Sequence, residues 1–217
     1  MGELGNRSLD TSAIAEKLAE RSIFVDAKIP VADVASVEAA QQMGFSLIET
    51  NLQFAMLLSD VPQKSLPEIM FATPDMADAV GEIAATSFSE DRFHRDRAIS
   101  KSSADDLKRS WAINFFAGGR GDWMVVGCIG GRPVGFLQLM RMSNGALRID
   151  LIAVSAGERG RGLARAMIAF ASRNCGCTGQ VTVGTAIANA RSVSLYENMG
   201  FRLCAAQYVF HHHGAAC

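Results

Sequence analysis

The sequence predicts an α/β (α+β) fold: a mixed, mostly antiparallel sheet with helices on both faces, preceded by a smaller α/β domain. Three observations predict it. From residue 69 the apolar spacing reads strand, helix, helix, three strands, helix, strand, helix, two strands. "GG" at 130–131 and "NG" at 144–145 separate the three consecutive strand-like runs and are hairpin turn signals. A glycine-rich stretch, "ERGRGLARA" at 158–166, leaves a strand and opens a helix.

Taken in order, residues 10 to 21 look helical, "SIFVDAKIP" (22–30) reads as a strand, and "VADVASVEAAQQMG" (31–44) as a helix closed by Gly44. "FSLIET" and "LQFAMLL" follow as two strands. Two prolines among polar residues in "SDVPQKSLPE" (59–68) mark a linker, which divides the chain into domains 1–62 and 69–213. "IMFAT" is then a strand, and Thr73 before Pro74 starts a helix running to about Phe88. "SEDRFHRDRAISKSS" is a polar loop and "ADDLKRSWAINFF" (104–116) an amphipathic helix. "WMVVGCI", "RPVGFLQLMRM" and "ALRIDLIAV" are the three antiparallel strands. The glycine loop leads into a helix with Leu163, Met167 and Phe170 at helical spacing; "GQVTVGTA", a helix "NARSVSLYENMG", and the strand pair "FRLCAA" and "QYVFHH" close the order.

A chain of 217 residues buries a full core without disulfides or a metal. Its net charge of −1 provides no broad positive field for nucleic acid or an anionic membrane, so any anion must be held locally. The five cysteines are odd in number; Cys128, Cys175 and Cys204 lie in or beside apolar stretches, and "CGC" (175–177) lacks a metal-ligand spacing, so they read, with Cys217, as reduced cytoplasmic thiols. The first residues have no apolar signal-peptide core, and no apolar run approaches the roughly 20 residues that span a bilayer. "HHH" (211–213) ends a strand, where adjacent side chains cannot all point one way, so no metal is expected.

Two stretches carry chemistry. In "RGRGLA", Gly160 and Gly162 let the backbone approach an anion at a helix N-terminus while Arg159 and Arg161 add charge, which makes an anion seat for a diphosphate. The loop lacks both the Lys-Ser/Thr ending of a nucleoside triphosphate loop and dinucleotide-fold spacing. Further on, Asn189 and Tyr196 are seven residues apart and fall within about 20° of each other on a helix, roughly 10 Å along its axis. Ala188, Ser192, Leu195 and Met199 form the neighbouring stripe expected to pack on the sheet.

Together these residues resemble the GNAT superfamily of N-acetyltransferases. Arg159, Gly162 and Ala164 meet its acetyl-CoA signature, and Asn189, Leu195, Tyr196, Gly200 and Phe201 meet its second one. The resemblance covers about residues 69 to 213 and implies acetyl-CoA as co-substrate. It implies that residues 157 to 164, including Gly160, Arg161 and Leu163, cradle the diphosphate. The backbone of Leu151, Ile152, Ala153 and Val154 would pair with the pantetheine arm, with an N–H near Ile152 on the acetyl oxygen. Asn189 would hold the pantetheine and Tyr196 would protonate the departing thiolate. Asp150, in the strand before the loop, is the nearest acidic candidate for a base; a water-relayed proton needs none.

A narrower likeness, in the "RFH" loop, "SWAINFF", "RGD" and "QQMGFSLIET", is to the TDP-fucosamine acetyltransferases, which acetylate the amine of a nucleotide-linked 4-amino-4,6-dideoxy sugar for cell-surface polysaccharide. It implies a TDP-sugar acceptor with Arg92, His94 and Trp111 in its neighbourhood. The partners expected are thus a small-molecule acceptor, no nucleic acid and no membrane, with a homodimer left open. Acetylation of a peptide N-terminus or small amine, and a non-catalytic acyl-CoA sensor, are the competing functions. Finally, "EAAQQMGFSLIETNLQF" (38–54) aligns with "SLYENMGFRLCAAQYVF" (194–210), with Ala40 in the place of Tyr196, so the first domain resembles half of the same fold without its anion loop or its tyrosine.

Overall fold

The computed structural model describes residues 24–63, 66 and 68–214. The helix expected over 10–21 and Cys217 lie outside the described residues. Eight strands are present: β1 (Phe24–Pro30), β2 (Ser46–Leu57), β3 (Ile69–Phe71), β4 (Trp123–Ile129), β5 (Arg132–Arg141), β6 (Leu147–Val154), β7 (Gln180–Ala186) and β8 (Arg202–His213). Six α-helices join them: α1 (Val34–Gln42), α2 (Ala77–Ser87), α3 (Arg92–Arg95), α4 (Lys101–Ile113), α5 (Leu163–Asn174) and α6 (Ala190–Met199).

The described residues fall into two compact units, a smaller one of 24–51 with 206–214, and a larger one within 52–205. This division differs from the expected cut in the 59–68 linker. The physical reason is that the second half of β8 is the antiparallel partner of β1, with Phe24 opposite His213 and Pro30 opposite Gln207. The strand pairs expected in 45–58 and 201–212 are each one continuous strand of 12 residues.

In the larger unit the strand order runs β2-β7-β6-β5-β4-β3. β3 to β6 pair antiparallel, and β6 pairs parallel with β7. Gly130 and Gly131 both have positive φ, 58° and 76°, as a two-residue primed hairpin turn requires between β4 and β5. Alternate residues feed two cores. Met124, Val126, Cys128 and Phe136 pack with Val80, Ile83 and Ala84 of α2 and Ala112 of α4. Val125, Leu137 and Leu139 pack with Met167 and Ile168 of α5 and Met199 of α6. Helices therefore cover both faces.

A β-bulge alters β6 in mid-strand: Gln138 pairs with Leu151 and Leu139 with Ile149, which leaves Asp150 as the extra residue. One inserted residue moves the following side chains to the opposite face. Leu147 and Ile149 accordingly join the α5 core, whereas Leu151 and Ala153 join the α2 core.

In the smaller unit, Ile29, Ala40, Phe45 and Phe210 form a separate buried cluster. α1 begins at Asp33, whose carboxylate accepts from the Ser36 N–H at 3.1 Å, and is followed by Gly44 at φ 80°. α6 begins at Asn189, which accepts from Ser192 N–H at 3.1 Å, and is followed by Gly200 at φ 95°. At one constant offset, Ala32, Ser36, Val37, Met43, Gly44 and Phe45 recur as Ala188, Ser192, Val193, Met199, Gly200 and Phe201. Each helix then continues into a strand of 12 residues. Among the described residues no helix is long and apolar enough to cross a membrane.

Candidate active site

The anion seat is built at the exit of β6. After a short turn at Ala156–Glu158, Gly160 and Gly162 both adopt φ 81°, a conformation that side-chain-bearing residues rarely take. Gly162 is the N-cap of α5 and no side chain caps that helix, so its first N–H groups keep free donor capacity at the positive end of the dipole. The Arg159 guanidinium donates to the Val154 carbonyl at 3.0 Å and to the Ser87 carbonyl at 3.3 Å, which fastens the loop to β6 and to the end of α2. Arg161 stands 3.1 Å from the Glu158 carboxylate and is well exposed. Leu163 is buried and anchors the first turn of α5, with Ala164 beside it. Outward N–H groups, two guanidinium groups and no Cβ at Gly160 fit a diphosphate.

Beside the seat, β6 loses one neighbour. Its parallel pairing with β7 covers Leu147 to Ile149, opposite Val181 to Val183, and goes no further. Leu151, Ile152, Ala153 and Val154 are registered with β5 on one side, opposite Gln138 to Gly135. Their other edge fits an extended amide-bearing chain.

Asn189 caps α6 through Oδ1, which leaves its Nδ2 hydrogens for a ligand. Tyr196 departs from the sequence expectation. It lies on the buried stripe of α6 with Met199, not beside it, is 2 % exposed, and packs against Phe54 and Phe201 with ring centroids at 5.9 and 5.5 Å. Ala188, expected in that stripe, is exposed. Burial pushes the Tyr196 phenol well above its ordinary range, so it keeps its proton.

On the α2 and α4 face, Asp150 projects from the bulge and accepts from Arg120 Nε at 2.7 Å, Arg120 Nη2 at 2.9 Å and Gln138 Nε2 at 3.2 Å. The Arg120 guanidinium lies 4.2 Å from the Trp111 ring, and Lys108 Nζ 4.9 Å from it. Lys108 is buried, 3.3 Å from Asp91. His94 is 4 % exposed, with Nδ1 2.6 Å from Asp91 and Nε2 3.0 Å from Asp105. Arg92 lies 4.6 Å from the Phe93 ring.

Arg92 and His94 sit on α3 within the segment expected to be a polar loop; a four-residue helix is too short to show a period. The sequence reading did not single out Lys108, Asp91 or Gln138, and it had Arg120 only as the first residue of "RGD". Gln138 carried a signal, as a polar residue inside the apolar run "VGFLQLM". Cys128 and Cys175 are buried as expected, and burial pushes the Cys175 thiol up to about 12. Cys204 is exposed, its thiol donating to the Gln53 carbonyl, and is not a core residue.

The sequence profile of the acetyltransferase (GNAT) family matches residues 78–201, which include every site residue named above. The chain belongs to this family. As a GNAT chain it is 27 % identical, over 192 residues, to the spore coat polysaccharide biosynthesis protein SpsD of Bacillus subtilis (strain 168). The match covers 87 % of this chain and 66 % of SpsD, so the chain spans just under two thirds of that relative. Among solved structures it is similar to a conserved protein of unknown function from Staphylococcus epidermidis, with TM-score 0.67 and 14 % identity over 88 % of this chain and 73 % of the other. It is also similar to a tandem GNAT protein from the clavulanic acid biosynthesis pathway, with TM-score 0.60 and 16 % identity over 94 % and 68 %. At these identities the two structures attest the fold alone.

Proposed function

We propose that this chain is an N-acetyltransferase that moves the acetyl group of acetyl-CoA to the amine of a nucleotide-linked amino sugar, a TDP-4-amino-4,6-dideoxyhexose. The observation that carries the reading is the uncapped N-terminus of α5, with Gly160 and Gly162 at positive φ, beside a β6 edge that β7 leaves at Ile149. Similarity to a protein named for spore coat polysaccharide biosynthesis supports a sugar acceptor over a peptide. With this reading goes a cytoplasmic location, which the free thiols of Cys128, Cys175, Cys177 and Cys204 support.

When bound, acetyl-CoA supplies an activated acetyl thioester and a diphosphate handle. The N–H groups of residues 160–164 and the Arg161 charge neutralise that handle. The edge of Leu151, Ile152, Ala153 and Val154 holds the pantetheine as an added strand, with Asn189 Nδ2 fixing its register. An N–H near Ile152 donates to the acetyl oxygen as negative charge grows there. Tyr196, whose burial disfavours a phenolate, donates to the leaving sulfur as the carbon–sulfur bond breaks and takes a replacement proton from the acceptor nitrogen in the same step.

Asp150 has both oxygens engaged by Arg120 and one also by Gln138. We read it as the residue that fixes Arg120 against Trp111 at the acceptor side, in place of the base suggested by its sequence position. Trp111 offers a flat apolar face and Arg92 a positive charge to a nucleotide-linked sugar. The N-terminal unit, whose helix α1 repeats α6, is read as a partial copy of the fold.

The test is thiol release from acetyl-CoA by the purified chain with TDP-4-amino-4,6-dideoxy sugars, peptide N-termini and polyamines as acceptors. Release with the TDP-amino sugars alone is expected. Release with peptides alone, or none with any amine despite tight CoA binding, overturns the reading.

A further inference from the structure

The acceptor side contains one connected chain of titratable groups whose middle members the steps above leave unused. Its outer end is Lys101, 77 % exposed, which donates to Asp105 at 2.6 Å. Asp105 faces His94 Nε2 at 3.0 Å, His94 Nδ1 faces Asp91 at 2.6 Å, and the other Asp91 oxygen lies 3.3 Å from Lys108 Nζ. His94 and Lys108 are buried between Asp91 and Asp105, which both remain about one-fifth exposed.

A neutral imidazole donates from one nitrogen only. With a carboxylate at each ring nitrogen, the Asp91–His94–Asp105 unit needs one proton beyond those of a neutral ring and two carboxylates if both contacts are to be hydrogen bonds. A proton held in this way has a hydrogen-bond partner on each side of the ring. A mere tie between α3 and α4 would not call for a titratable ring.

Lys108 is the inner end. Its Nζ lies 4.9 to 5.3 Å from the rings of Trp111, Phe88 and Phe93. The charges acting on it are Asp91 and Arg92 from α3 and Asp150 from β6, with Arg120 sharing the Trp111 ring. Burial lowers its hold on a proton, opposed by Asp91. Through Trp111 and Arg120 this end of the chain of groups is linked to Asp150, the residue immediately before the Leu151–Val154 edge.

We propose that Lys108 takes the proton that the acceptor amine must lose and that Asp91, His94 and Asp105 conduct it to water, an inference that rests on the acetyl transfer proposed above. An acceptor ammonium first gives one proton to Lys108 Nζ, which starts as the neutral amine, and its freed nitrogen bonds to the acetyl carbon. As the carbon–sulfur bond breaks, the sulfur takes the Tyr196 proton and the nitrogen's second proton replaces it on Tyr196. The proton on Lys108 goes through Asp91 and His94 to Asp105 and out to solvent, which returns Lys108 to the neutral amine. Lys108 is the catalytic residue of this set; Asp91, His94 and Asp105 act through it.

The experiment uses the full chain, acetyl-CoA and a TDP-amino sugar that the wild type turns over, and measures turnover against imidazole concentration at fixed ionic strength and against pH. Wild-type turnover is expected to ignore imidazole. H94Q and D105N should fall about tenfold or more at low buffer and recover several-fold as imidazole rises, because a mobile proton carrier replaces the fixed one. K108M should move the acid limb of kcat/KM to higher pH, with CoA affinity unchanged within about twofold. A loss in H94Q and D105N that is the same at every imidazole concentration and pH would mean a structural tie and overturns the conduit; if H94Q fails to fold, the more exposed D105N gives the same readout. Turnover with the sugar but buffer-independent variants defeats the conduit alone. No turnover by the wild type with any acceptor defeats the acetyl-transfer reading and the conduit with it.

Discussion

Ala40 and Tyr196 occupy the same place in two copies of one helix ending: the Ala40 carbonyl accepts the Phe45 N–H at 3.0 Å, and the Tyr196 carbonyl accepts the Phe201 N–H at 3.0 Å. In each copy the glycine before the phenylalanine bonds one turn back, Gly44 to Gln41 and Gly200 to Glu197. The backbone is thus repeated where the phenol is not. Ala40 is buried in a small cluster with Ile29, Phe45 and Phe210, so A40Y should overpack it and cost about 1–3 kcal/mol of stability. Urea denaturation should show that loss with turnover per folded molecule unchanged.

Y196F should lower turnover by about a hundredfold or more while leaving CoA affinity within a few-fold. The phenol titrates far above its ordinary range, so the alkaline limb of the wild-type pH profile belongs to another group. Single-turnover kinetics of Y196F across pH would check both points; an unchanged rate would reduce Tyr196 to packing between Phe54 and Phe201.

Gly160 has open space where a Cβ would stand, so G160A has no clash to relieve, but its φ of 81° costs an alanine about 1–2 kcal/mol. The loop is expected to move away from that geometry. Titration calorimetry should then show CoA binding roughly tenfold weaker, with the melting temperature little changed if the strain is relieved locally.

Removing one partner of the Arg120–Asp150 pair leaves the other charge partly desolvated. For D150N we expect a loss of about 1–3 kcal/mol, below the value for a fully buried pair because Arg120 is 29 % exposed. R120K should recover only part of the wild-type KM for the acceptor, since an ammonium cannot make the two-point contact. Denaturation and steady-state kinetics on the two variants separate the effects.

Lys108 gives a pH signature in stability. Burial lowers its pKa from 10.5, so between its folded value and 10.5 the unfolded chain binds more protons there than the folded one. Stability rises with pH wherever that holds. Wild type should therefore gain stability relative to K108M as pH climbs toward 10.5, and the difference should level off above it. Urea midpoints measured from neutral pH upward would show the trend; a difference that shrinks toward alkaline pH would contradict a hold on the Lys108 proton weakened by burial.

Much of this was legible in the sequence because the relevant signals are local. The paired glycines at 130–131 dictated a hairpin, and Gly160, Gly162 and the following apolar period dictated a loop entering a helix. β2 and β8 read as pairs of strands because Asn51 and the small residues Ala205 and Ala206 interrupt the apolar alternation within each. The Asp150 bulge was hidden for a different reason: every odd-numbered residue from Leu147 to Ala153 is buried, so the pattern is unbroken although the face changes. His94 meets Asp105, and Asp91 meets Lys108, only through packing of α3 against α4, which no spacing rule encodes.

The pairing of Phe24 with His213 has a consequence for how the protein is made. β1 emerges from the ribosome long before its partner exists, and every residue of the larger unit is synthesised in between. The small unit therefore waits with an unsatisfied strand while the larger one acquires its core, and its completion is among the latest events after translation.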